Sequence, residues 1–166
     1  MPITSVITPT RTPAGPSPTK KPVTPTATVA KGSPTPNVPP GLYATKVDTI
    51  PAKPAIGNQL GFKVTFFNNT GATQTYTWMV KVFQCPEQCT GDTAFKHSYG
   101  ETLRTSANIG TGAVELSTSQ TINLGTGIRC DLVAIPYYVN PVDQQVLPFR
   151  TPDGGNALYQ AIKLCQ

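Results

Sequence analysis

From Gly41 onward, apolar and polar residues tend to alternate with a period of two, and no window of helical length carries an apolar stripe at i, i+3 and i+4. The pattern predicts strands throughout. "LYATKVDTI" (Leu42 to Ile50) reads as a first strand, stopped by the prolines and glycine of "PAKPAIGN". "LGFKVTFFN" then sets Leu60, Phe62, Val64 and Phe66 on one face against Gly61, Lys63 and Thr65 on the other. "NNTGAT" (Asn68 to Thr73) is turn chemistry, since Asn and Gly tolerate positive φ. Beyond it, "TYTWMVKVF" alternates again and aligns Tyr76, Trp78, Val80 and Val82, so that Trp78 falls mid-strand on the core face.

The stretch from Gln84 to Gly112 has little periodicity and reads as a long loop, with a short strand around "ETLRTSANI". "VELSTSQTINL" (Val114 to Leu124) is a strand with a weak middle. "IRCDLVAI" (Ile128 to Ile135) is a strong one, and Pro136, which has no N–H for a ladder, predicts that a central strand stops there. The loop "NPVDQQVLPFRTPDGGN" leads to a last strand, "ALYQAIKLC". About seven short strands with turn signals between them predict an all-β fold, an antiparallel immunoglobulin-like β-sandwich.

Composition separates a second region. Pro2 to Pro40 holds most of the chain's 18 prolines, is rich in threonine, and contains no acidic residue, no aromatic residue and no cysteine. Such a stretch cannot bury enough apolar surface to offset its chain entropy, so residues 1–39 are expected to be a disordered Pro/Thr-rich linker and residues 40–166 the folded domain. Extended at ~3.1 Å per residue, the linker would reach on the order of 120 Å, enough to lift a domain clear of an envelope.

The net charge of +5 suggests nucleic acid until the charges are located. Arg11, Lys20, Lys21 and Lys31 lie on the linker, and the domain is nearly balanced, with no basic stripe interleaved with aromatics. Nucleic acid is therefore not an expected partner. No apolar stretch approaches the ~20 residues of a membrane span. "MPITSVITPTRTP" lacks the layout of a secretory signal peptide, so a signal or anchor is expected upstream of residue 1. The expected location is extracellular or at the cell surface.

Four cysteines allow three connectivities. If the last two strands pair antiparallel with Tyr138 opposite Ala157, the same register sets Cys130 opposite Cys165, within disulfide reach. Cys85 and Cys89 are then left to each other across three residues that include Pro86. The reading as a local clip at a loop base is preferred to free thiols. It is also preferred to metal or redox chemistry, since His97 is the only histidine, no second cysteine pair has finger spacing, and a redox Cys-x-x-Cys would be one residue shorter.

No catalytic constellation, metal site or cofactor motif emerges. His97 reads as a solvated loop histidine, and Glu87, Asp92 and Glu101 lack the density of a calcium loop. The two "GTG" stretches lack a phosphate-loop lysine. Asn68-Asn69-Thr70 is a glycosylation sequon in a turn. Trp78, Phe62, Phe66 and Tyr76 could form a platform for sugar rings, but their period-two spacing favours core packing. Candidate contact residues are Phe95, Tyr99, Leu147 and Phe149, in the two long loops; Val146, Leu147 and Phe149 either fold back on the domain or form an exposed patch, and folding back is preferred.

The stretch "LYATKVDTIPAKPAIGNQLGFKVTFFNNTGATQTYTWMVKVF" resembles the first half of the bacterial Ig-like adhesion-related domains called CARDB. Leu42, Val47, Ile50, Pro54, Gly57, Leu60, Phe62, Val64, Phe66, Asn69, Thr70 and Gly71 carry the likeness. It implies a seven-stranded surface sandwich with a role in adhesion or spacing. The second half departs from the pattern, with "NPVDQQVLPFRTPDGG" in place of an acidic, Asn-rich final hairpin. The expected function is a non-catalytic module for adhesion or envelope protein contacts, with an envelope or surface protein, or a polysaccharide, as partner. A carbohydrate-binding module and an accessory domain of a larger secreted enzyme or receptor are the alternatives.

Overall fold

The computed structural model describes residues 38–84, 97–153 and 157–165. Its strands are β1 (Leu42–Ile50), β2 (Gln59–Asn68), β3 (Gln74–Gln84), β4 (Ser98–Glu101), β5 (Thr105–Ile109), β6 (Gly112–Ser117), β7 (Ile122–Asn123), β8 (Asp131–Val139), β9 (Val146–Pro148) and β10 (Gln160–Lys163). Every pairing is antiparallel. One sheet runs β1-β2-β6, with β7 also on β2; the other runs β10-β8-β3-β4, with β5 on β3 and β9 on β8. Because β4 and β5 share one side of β3, β6 and β7 one side of β2, and β9 and β10 one side of β8, the ten segments fill seven strand positions. The architecture is an immunoglobulin-like sandwich of two antiparallel sheets.

The period-two pattern places the core as expected. Leu60, Phe62, Val64 and Phe66 of β2 are fully buried, as are Val80 and Val82 of β3, and they pack in one cluster with Trp78, Leu132, Ala134 and Ile162. The Phe66 ring meets Trp78 edge-on at 5.2 Å and Phe149 at 5.0 Å, which joins the two sheets and the last third of the chain at one point. Strand β3 also buries Met79 and Phe83 on its other face, and β8 buries Val133 and Ile135. Phe83, Val133 and Ile135 form a second cluster against which Tyr137 and Ala157 pack. Lys81 lies over the Tyr137 ring at 5.1 Å while pairing with Glu101.

Pro136 does not end the eighth strand, contrary to the expectation from sequence. Strand β8 continues to Val139, with Pro136 opposite Val80. The neighbouring bonds explain why. Val80 directs its N–H to Thr102 Oγ1 at 2.9 Å and its carbonyl to the Thr102 N–H, so its hydrogen-bonding groups face away from β8. Pro136 therefore sits at a position of β8 that owes no bond to β3. Its carbonyl instead accepts the Phe149 N–H at 3.0 Å, in the gap where β9 gives way to β10.

Thr118 acts on the other sheet as Thr102 does on this one. It accepts the Phe62 N–H through Oγ1 at 3.1 Å and returns its own N–H to the Phe62 carbonyl, spanning the break between β6 and β7. The weak middle of "VELSTSQTINL" is this break. The unpatterned stretch after Gln84 likewise holds β4 and β5, joined across Thr102. Replacing Thr102 or Thr118 by valine leaves a strand N–H without its partner and is expected to destabilise the domain by about 1–2 kcal/mol each, measured by urea unfolding.

Candidate contact surfaces

The strand directions give the sandwich two ends. Asn68 faces both Leu42 and Gly112, so the first end carries the start of β1, the β2–β3 turn and the β5–β6 turn; the β8–β9 turn joins them, because Val139 faces Thr77 near the start of β3. The second end carries the β1–β2 connection, the β7–β8 connection and the end of β10. Gln84 and His97 are bonded backbone to backbone there at 2.8 Å, the base of the β3–β4 connection. Of the two loops read from sequence as contact candidates, the first runs the length of the sandwich, from Gln84 at the second end through β4 and β5 to Gly112 at the first, while the second begins at the first end, where Asn140 closes the β8–β9 turn by backbone bonds to Gln144 and Gln145.

The candidate residues separate accordingly. Phe149 is 1% exposed and packs on Phe66, Tyr138 and Tyr76. It folds back into the core, so its side chain is not available to a partner. Tyr99 is half-buried against the core, and its hydroxyl donates to the Asn123 carbonyl at 2.7 Å and accepts the Gly125 N–H at 3.0 Å. Its role is to tie β4 to the β7–β8 connection. Leu147 is half-buried in β9 opposite Tyr138. Phe95, Cys85 and Cys89, with Glu87 and Asp92, lie outside the described residues. His97 is exposed, and the described residues contain no cluster of three His, Cys, Asp or Glu fit to hold a metal ion. Trp78, at 1% exposure, cannot serve as a sugar platform.

Cys130 and Cys165 are bonded, with Cα atoms 5.1 Å apart. The expected pairing forms, though the assumed register is displaced. Gln160 faces Ala134 and Lys163 faces Asp131, which carries Leu164 opposite Cys130, and its N–H donates to the Cys130 carbonyl at 2.8 Å. Tyr138 faces Leu147, not Ala157. The displacement arises because the last strand position is split between β9 and β10, with residues 149–159 between them.

The turn asparagines are consumed by structure. Asn68 is 1% exposed, and its Nδ2 donates to the carbonyls of Ala72 and Ile109, while Oδ1 accepts from Thr70. The sequon nitrogen is thus occupied. Asn69 binds the incoming chain, accepting the Gly41 N–H and donating to the carbonyls of Val38 and Pro39. The Tyr43 hydroxyl adds a bond to the Pro39 carbonyl at 2.7 Å.

Recesses lie along the side where β1 of one sheet passes the β9–β10 edge of the other. One, of about 150 Å³, is lined by Tyr43, Tyr76, Tyr138 and Arg150 among others. Below it the sheets are clipped by the Ala44 N–H on the Arg150 carbonyl at 3.1 Å, at the point where a bulge shifts the register of β1. Beyond the clip the sheets part around a trough of about 560 Å³ between Thr49–Ala55 and Gln160–Leu164. No pattern in the sequence marked this trough, because its walls, the β1–β2 connection and β10, meet only through the topology. No family model, curated protein or solved structure matches the chain.

Phe149→Ser is expected to destabilise the fold by about 3–5 kcal/mol, whereas Val142→Ser, at a side chain left open in the β8–β9 turn, should change the melting temperature little. Burial pushes the Tyr76 and Tyr137 phenols above their ordinary value of 10.0. Since the unfolded chain ionises first, the stability tied to these neutral phenols is complete below about pH 10 and is lost as pH rises through their folded values. Tyr137→Phe should therefore flatten the alkaline fall in urea midpoint between pH 9 and 11.

Proposed function

We propose that the domain is a non-catalytic module of the extracellular space or cell surface, held out on its Pro/Thr-rich segment to make adhesive or envelope protein contacts. The observation that carries this reading is the Cys130–Cys165 disulfide, which fits an oxidising compartment and fixes the last strand covalently to β8. The described aromatic residues support protein contact over sugar binding, because Trp78 and Phe149 are committed to the core. A carbohydrate role rests on the tyrosine-lined recess, whose 150 Å³ is below the usual size of a ligand pocket, roughly 300–1,000 Å³.

The full chain, labelled and added to intact envelope material, should bind saturably and be displaced by excess unlabelled protein. Displacement by soluble polysaccharide instead of by protease treatment of the envelope would overturn the protein-contact reading. The disulfide should matter to this behaviour. It closes 35 residues of sequence separation, so Cys130→Ser with Cys165→Ser is expected to lower stability by about 3–4 kcal/mol in chemical unfolding.

A further inference from the structure

We propose that the trough between β10 and the end of β1 with the β1–β2 connection is a strand-addition site, which takes an extended segment of a partner protein with alternating apolar and acidic residues. The proposal rests on the reading of the domain as a protein-contact module and assigns that contact to one edge.

The backbone supplies the first argument. Leu164 donates to Cys130, so residues 160, 162 and 164 exchange bonds with β8, and the N–H and carbonyl groups of Ala161 and Lys163 point away from it. These groups form a row that no neighbouring strand uses, on an edge strand. The Ala161 carbonyl is met by the half-buried Gln160 side chain through a solvent-exposed bond of 2.8 Å, a cap that a partner strand can displace. On the facing sheet, Phe62 spends its backbone bonds on Thr118, so Thr49, opposite it in β1, also directs its groups outward. A four-residue edge at ~3.3 Å per residue accommodates about 13 Å of extended chain.

The side chains supply the second. Ala52, Pro54, Ala55 and Ile162 give the trough an apolar lining, and Lys53 and Lys163 stand on it. Neither lysine has a described carboxylate at ion-pair distance, whereas nearby Lys46 is held by Asp48 at 2.8 Å. Lys163 faces Asp131 in register without such a contact. The charge thus favours an acidic partner and opposes pairing with the same edge of a second copy. Of the large apolar residues left exposed among the described ones, Ile50, Ile56 and Tyr159 are each chain neighbours of Thr49, Ala55 and Gln160 on the trough wall. The adjoining disulfide fixes β10, which lowers the ordering required on binding.

The test uses the full chain and two blocked hexapeptides, Val-Glu-Val-Glu-Val-Glu and Val-Lys-Val-Lys-Val-Lys, followed by amide hydrogen exchange. The glutamate peptide should slow exchange at Ala161 and Lys163 at least tenfold, and the lysine peptide should not. Ala161→Pro removes an edge donor that β8 does not use, and should weaken binding at least tenfold with the ladder intact. Lys53→Glu with Lys163→Glu should reverse the peptide preference, which keeps the proposal testable should the proline variant unfold. Protection centred on β4, β5 or β6, equal response to both peptides, or protection of these amides by self-association alone would overturn it. Envelope binding that persists unchanged in both variants would sink the edge assignment while leaving the contact module standing; absence of envelope binding by the parent chain would count against the module, not against the edge.

Discussion

The contact of Phe66 with Trp78 and Phe149 is the one on which the remaining structure depends. Phe66 comes from one sheet, Trp78 from the centre of the other, and Phe149 from the segment between β9 and β10. Through these rings, strands distant in sequence agree on a single spacing between the layers. Phe149 can reach the cluster only if its N–H turns toward β8, and the Pro136 carbonyl receives it there. That bond continues the register of β9 by one rung, after which Phe149 and Arg150 pair with Leu158 and Ala157 and the final strand position resumes as β10.

Much of the architecture was legible in the alternation of residues. Leu42–Ile50 reads as β1 without adjustment, and the inward faces of β2 and β3 follow from the period of two. Burial of both faces of β3 and β8 was not legible as such, since Met79, Phe83, Val133 and Ile135 occupy what a half-buried strand leaves to solvent. Pro136 misled because a proline reports only that one N–H is missing; whether a ladder required it depends on which partner the opposite residue already serves. Here Thr102 served it, and no local pattern announces a threonine in that role.

Contact residues were less legible than strands. An aromatic in a Pro/Gly-bounded loop looks alike whether it faces solvent or the core, and Phe149 and Tyr99 both proved to be fastened, one by rings and one by two hydrogen bonds. The trough has a different origin. It lies between the β1–β2 connection and β10, beyond the Ala44–Arg150 clip, and the distance between segments so far apart has no signature in a linear chain. Lys53 and Lys163 are more than a hundred positions apart and meet only through the topology.

The paired asparagines of the β2–β3 turn have a mechanical consequence. Asn69 holds Val38, Pro39 and Gly41 beside the start of β1, so a pull on the incoming chain is received first by these bonds and then along the axis of β1. Strand β1 is laddered to β2 from Leu42 to Ile50, with bonds lying across the direction of pull. Tension away from that end loads the ladder in shear, so its rungs share the force instead of opening one after another. Traction applied through residues 38–41 meets the sandwich in its more resistant orientation.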